Sequence, residues 1–203
     1  MTGMDYSFLL KQIAFIKEID KLKYIMRKTR LFGSDRHEND AEHSWHLAMM
    51  TIVLAGHAGE PVDVLKVLKM VLIHDIVEID SGDVFFYDSA KSHSNTDEER
   101  KAANRIFGML PEEQASEFIA VWEEFETGDT PEAKFARAMD KLEPLLQNTS
   151  NNGGTWAEFG VRYEQVYEKK KMIKEGSPFI WEYAESLINE SVEKGILKKR
   201  DED

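Results

Sequence analysis

The stretch Val64-Leu65-Lys66-Val67-Leu68-Lys69-Met70-Val71-Leu72-Ile73-His74-Asp75-Ile76-Val77-Glu78 constrains this chain more than any other. Its apolar residues are dense enough to read as a helix packed into a core. Yet the run closes on an imidazole and two carboxylates. Burying such charges unpaired is costly or forces them to neutralise, so they are paired or bound to a metal. The chain must therefore fold so that compensating groups arrive from elsewhere.

The remaining punctuation is helical. Tyr6 to Lys23 carries a stripe of Phe8, Leu9, Ile13, Phe15, Ile16, Ile19 and Leu22. A polar loop follows from Gly33 to Asp40, and Asp40 is placed to cap a helix from Ala41 to about His57. Pro61 starts the helix containing His74-Asp75, and Asp80-Ser81-Gly82-Asp83 ends it. Residues 84–95 read as a polar loop around Phe85-Phe86-Tyr87, after which Thr96 and Glu99 form a capping-box pattern for a helix to about Leu110. Pro111 sits in the first turn of a helix ending near Gly128. Thr130-Pro131 opens another to about Gln147, with Pro144 placed to kink or shorten its last turn. Asn148 to Gly154 is a turn cluster. A helix from about Ala157 to Gly176, a last one from Ser177-Pro178 to Gly195, and a charged tail complete the chain. No stretch alternates like a strand bounded by hairpin turns, and there is no internal repeat or long linker. The expectation is an all-α bundle of seven to eight helices forming one domain over 1–203.

Composition excludes several partners. A net charge of −12 argues against a protein that grips nucleic-acid backbones, which requires clustered Lys and Arg. It leaves room for a small phosphorylated substrate, which needs only one or two local cations. With no cysteine, thiolate ligands are excluded and any metal must be held by His and carboxylates. No run is long and apolar enough for a membrane helix and no signal-peptide pattern opens the chain, so a cytoplasmic protein is expected.

Partners for the His74-Asp75 pair can be found. On a helix Glu78 lies beside both residues. His43 sits at the polar start of an earlier helix, and Asp140 interrupts the buried stripe of Phe135, Ala136, Met139, Leu142 and Leu146. Together His43, His74, Asp75 and Asp140 offer two imidazole nitrogens and two carboxylates, a set suited to Zn, Mn, Co, Ni or Fe. By itself the His74-Asp75 pair supports either a metal or a paired group at the edge of a core. His46 reads as a satisfied core histidine that supports His43 or packs near it. His37, His57 and His93 read as surface residues, and the C-terminal aromatics from Trp156 to Tyr183 as core or a subunit interface.

The order His, His-Asp, distant Asp resembles the HD-domain metal-dependent phosphohydrolase superfamily. Leu22-Lys23 with Arg27, Glu42-His43-Ser44, His74-Asp75-Ile76-Val77-Glu78, Ser81-Gly82-Asp83 and Lys134 to Asp140 resemble its 5′-deoxynucleotidase branch, over residues 22–148. The resemblance implies that His43, His74, Asp75 and Asp140 ligate one divalent ion, since only His93 lies between the HD pair and the final Asp. It implies that Glu78 orients or deprotonates the attacking water. Arg27 would contact the phosphate, with Lys28, Arg30 and Arg36 as alternatives, and Asp83 would meet the sugar or assist the leaving group. Family members commonly carry a Trp after the arginine, where this chain has Lys28-Thr29-Arg30-Leu31-Phe32. That departure leaves the sugar preference open.

The implied reaction removes the 5′-phosphate from a (deoxy)nucleoside monophosphate, in a protein that forms homodimers. The alternatives are a related hydrolase of another small phosphate ester or nucleotide polyphosphate, and a non-catalytic metal- or nucleotide-binding module. A polyphosphate would want more cations than Arg27 and its neighbours supply, and a pure binder has no need of Glu78.

Overall fold

The computed structural model describes residues 6–83, 87 and 96–199. In chain order its main elements are α1 (Ser7–Ile19), β1 (Met26–Arg30), β2 (His37–Asn39), α2 (Asp40–Leu54), α3 (Val64–Ile73), α4 (Glu78–Ser81) and α5 (Thr96–Phe107). These are followed by α6 (Glu112–Thr127), α7 (Pro131–Ser150), α8 (Gly154–Glu158), α9 (Tyr163–Lys170), α10 (Ile173–Gly176) and α11 (Pro178–Glu193). Eight of these helices run for eight residues or more, so the expected all-α bundle is observed.

Helix α7 is the axis. The Thr130 hydroxyl accepts from the Ala133 amide at 3.2 Å and Pro131 fills the first turn, as expected. Ala133, Phe135, Ala136, Ala138, Met139 and Leu145 are fully buried, with α2, α3, α6, α10 and α11 packed around them. Pro144 removes the donor that would reach the Asp140 carbonyl, yet the helix continues to Ser150, past the expected end.

Two apolar clusters meet along α3 and the turn that follows it. Val67, Met70 and Val71 join the cluster around Phe135, Met139, Trp156 and Trp181. Ile73, Ile76 and Val77 join a second, with Phe15, Ile106, Phe107 and Trp122. His74 and Asp75 therefore sit at the seam between two cores. Each fully buried large apolar side chain contributes roughly 1.5–3 kcal/mol, so packing on both sides can hold polar groups where they would not otherwise stay.

Several local expectations are corrected. The helix stops at Ile73; His74–Val77 form a 3₁₀ turn, and Glu78 opens the short α4. α3 starts at Val64, not at Pro61, and Asp63 caps it, accepting from the Leu65 and Lys66 amides. Asn39, not Asp40, caps α2: its side chain accepts from the Glu42 amide at 3.0 Å while Glu42 accepts from the Asn39 amide at 3.1 Å. Asp40 is instead fully buried. The single helix expected over 157–176 is three short ones, α8 to α10. His37–Asn39, expected to be loop, pairs with Met26–Arg30 in the antiparallel hairpin β1–β2, with Met26 opposite Asn39 and Arg30 opposite His37. Its inward residues are Arg27, Thr29 and Glu38, so a search for alternating apolar residues passes over it. The loop expected over 84–95, including His93, lies outside the described residues except for Tyr87, and so does the side chain of Thr96 with its expected cap.

Candidate metal centre and active site

The central helix, the 3₁₀ turn and the start of α2 bring the sequence-predicted groups together. His43 Nε2 lies 3.2 Å from Asp140 Oδ1 and 3.9 Å from Asp75 Oδ2. His74 Nε2 lies 3.0 Å from Asp75 Oδ1 and 3.9 Å from Asp140 Oδ1. His43, His74 and Asp140 each offer a ligand atom within 4.8 Å of the other two. The other nitrogen of His74, Nδ1, donates to the Val71 carbonyl at 3.1 Å, which leaves Nε2 facing the site. That Nε2 is buried and makes no hydrogen bond of acceptable geometry. A set of two imidazoles and two carboxylates with such an orphaned nitrogen fits a divalent ion.

Arg27 stands over these carboxylates. Its Nη1 lies 3.0 Å from Asp75 Oδ2 and 3.5 Å from Asp40 Oδ1, and its Nε 3.3 Å from Glu38 Oε1. Of the alternatives, Arg30 pairs with Asp35 and Glu158 and Arg36 with Glu42; only Lys28 joins Arg27 in lining the cavity. That cavity has a volume of about 330 Å³ and is bounded in part by His74, Asp75, Glu78, Asp83 and Asp140. His43 is fully buried behind it.

The site sorts its carboxylates by charge. Burial pushes Asp75 up, but the His74 ring and the Arg27 guanidinium outweigh it and hold the group well below the usual carboxylate range. Asp140 is likewise pushed up by burial and pulled well down by Lys141, whose Nζ lies 2.7 Å from its Oδ2, and by the two histidines. Glu78 goes the other way: burial, then the charges of Asp75 and Asp40, raise it well above its ordinary value. Burial also raises Asp83 against the pull of Arg27. Asp40 is pushed up to about 7 by burial and Asp75, and Glu38 to about 7 by burial and Glu143. Glu78, half-buried, is thus an acid able to take or give a proton beside carboxylates that stay ionised.

Sequence reasoning missed part of this constellation. Glu143 is fully buried, with Oε2 3.3 Å from His43 Nδ1 and Oε1 3.2 Å from His46 Nδ1. Gln147 donates to Glu38 Oε2 at 3.0 Å. The available signal was spacing: Asp140, Glu143 and Gln147 recur at three and four residues on a buried helix face. His46 is not a core histidine, since its side chain is 32% exposed. The expected shortage of cations is also corrected, because Arg137, Lys141 and Lys170 line the cavity with Arg27 and Lys28. The C-terminal aromatics divide: Trp156 and Trp181 are core, whereas Phe159, Phe179 and Tyr183 are exposed.

Comparison with known proteins places this geometry in context. The HD domain family model matches residues 19–181. The crystal structure of a protein described as a predicted metal-dependent phosphohydrolase from Magnetospirillum magnetotacticum MS-1 is similar with a TM-score of 0.92. The two are 47% identical, and the match covers 98% of this chain and 100% of that one. Human 5′-deoxynucleotidase HDDC2 is 27% identical over 136 residues, 66% of this chain and 65% of that protein, so the chain spans just under two thirds of its length. The Dictyostelium discoideum 5′-deoxynucleotidase HDDC2 is 30% identical over 141 residues, 66% of this chain and 74% of that protein.

Proposed function

We propose that this chain, which belongs to the HD-domain family, is a metal-dependent phosphohydrolase that removes the 5′-phosphate from (deoxy)nucleoside monophosphates. The carrying observation is the convergence of His43, His74, Asp75 and Asp140 beside Arg27 and Glu78 at one cavity. These four residues would hold one divalent ion. Such an ion, when bound, polarises a phosphoryl oxygen and lowers the pKa of water towards neutrality. Glu78 takes the proton as the water oxygen forms its bond to phosphorus. Arg27 meets the charge that grows on the phosphoryl oxygens. The bond from phosphorus to the 5′ oxygen breaks, and Asp83, raised by burial, supplies the proton that the departing oxygen needs. The products are a nucleoside and inorganic phosphate.

The cations along the cavity remove the charge argument against a polyphosphate. The names of the curated relatives now support the monophosphate. A cytoplasmic location goes with that substrate class; among the described residues no helix is long and apolar enough to cross a membrane. The chain is read as one domain, supported by the packing of α10 and α11 on α7.

Phosphate release from a panel of ribo- and deoxynucleoside mono-, di- and triphosphates, with Co, Mn, Zn or Mg added to metal-stripped protein, tests the activity. Monophosphates are expected to turn over, and Glu78→Gln to lose turnover while still binding metal. No release with any metal refutes the reading.

A homodimer belongs to the same proposal, but its support has moved from the C-terminal aromatics. Phe8, Leu10 and Ile16 on α1 and Trp45, Ile52 and Val53 on α2 are all more than half exposed. Clusters of exposed apolar residues on this scale are features of interfaces. Light scattering after size exclusion is expected to give twice the 23.4 kDa chain mass, and Val53→Glu to weaken the dimer; a monomer at micromolar concentration refutes it.

A further inference from the structure

We infer that Glu143 is a positioning residue for His43: clamped between the rings of His43 and His46, it holds His43 with Nε2 turned to Asp140. The inference rests on the proposed reading of His43 as a metal ligand. Glu143 leaves α7 one turn after Asp140 and is fully buried. One carboxylate oxygen lies 3.3 Å from His43 Nδ1 and the other 3.2 Å from His46 Nδ1. On the opposite edge of the His43 ring, Nε2 lies 3.2 Å from Asp140 Oδ1. The ring thus has a carboxylate of one helix at each edge: Nε2 is hydrogen-bonded to Asp140, and Glu143 Oε2 stands in ion-pair reach of a buried Nδ1 that has no other acceptor closer.

Glu38 is the competing partner, with Oε1 3.8 Å from His43 Nδ1. It is farther away and already engaged by Arg27 Nε at 3.3 Å and Gln147 Nε2 at 3.0 Å. Glu143 is therefore the nearer acceptor. An imidazole whose Nδ1–H is held by a carboxylate presents the Nε2 lone pair in one direction and is the more basic donor. His46 keeps the carboxylate from turning away. It follows His43 by three residues on the same helix face, and its own ring stands edge-on to Phe32 with centroids 5.7 Å apart. A buried carboxylate without such donors would be strongly unfavourable, so the two histidines and Glu143 form a unit.

The test combines calorimetric titration of Mn(II) with the imidazole region of the ¹H–¹⁵N spectrum of the Zn(II)-loaded protein. Wild type, Glu143→Ala, Glu143→Gln and Asp140→Ala are compared. Glu143→Ala is expected to bind Mn(II) about 10–100-fold more weakly and to lose the slowly exchanging Nδ1–H signal of His43. Glu143→Gln keeps one accepting oxygen, so its affinity falls less and the signal shifts. Should Glu143→Ala fail to fold, the same two readouts on Glu143→Gln decide. Unchanged affinity and an unchanged His43 signal in the Glu143 variants that fold, while Asp140→Ala loses the metal, overturn the positioning role alone. Wild-type affinity in Asp140→Ala overturns the ligand reading instead.

Discussion

Lys170 is only 2% exposed and donates to the Lys141 carbonyl at 2.7 Å on the wall of the cavity. Burial first, and the Lys141 ammonium second, push its pKa down to about 7. An unfolded lysine titrates near 10.4. Between those values the unfolded chain binds the extra proton, so this group makes stability rise with pH, by about 1.4 kcal/mol per unit at most. Below about 7 the native state must carry the buried ammonium and the penalty is complete. Lys170→Met is therefore expected to melt highest relative to wild type below pH 7, with the difference shrinking towards pH 10. Melting curves across that range check it, and a difference that is flat or grows with pH would refute it. The loss of the bond to the Lys141 carbonyl shifts every point alike and leaves the slope as the test. Nothing in the sequence marked Lys170, because its neighbours Lys169 and Lys171 make it read as part of a solvated charge run. His74-Asp75 and Asp140 were legible for the opposite reason: each interrupts an apolar stripe. Glu143 was hidden only because it lacked a partner until α2 was laid against α7.

At the scale of elements, punctuation was legible where one residue acts on its own backbone. Thr130-Pro131 and Ser177-Pro178 open α7 and α11 as read, and Gly128, at φ 72°, closes α6. The turn into α2 was misread by one residue, since Asn39 and Asp40 are both good caps and only the fold decides which carboxylate or amide is drawn into the site. The β1–β2 hairpin escaped because its buried residues are charged or polar, held by ion pairs that have no periodic signature. Gly176 was read as a helix end, but its need is steric. A Cβ there would meet the Lys134 carbonyl and lie 2.8 Å from the Ala138 Cβ, so α10 rests directly on the backbone of α7. Gly176→Ala forces the helices apart, at a cost of about 1–3 kcal/mol. A fall in Tm of roughly 2–4 °C per kcal/mol follows for a chain of this size. If the variant melts with wild type, α10 does not bear on α7 as closely as described.

At the scale of the whole molecule, residues from position 38 to position 143 are gathered into one anionic centre inside a chain of net charge −12. Burial first, and then repulsion between like charges, push Glu38 and Asp40 each up to about 7. A divalent ion relieves that repulsion only in the folded protein, because the unfolded chain scatters the ligands. Binding confined to the native state stabilises it by about 2.7 kcal/mol at a free metal concentration one hundred times Kd. At roughly 2–4 °C per kcal/mol, the Tm of metal-stripped protein should rise by about 5–11 °C on adding Mn(II) or Co(II), and fall back with chelator. General screening of a net-negative protein would also raise Tm, so sodium chloride at matched ionic strength is the necessary comparison. Site binding saturates at low metal and disappears in Asp140→Ala; screening grows smoothly with salt and survives that substitution. A rise reproduced by sodium chloride, or retained in Asp140→Ala, would mean that the seam between the two cores holds a carboxylate cluster and no metal.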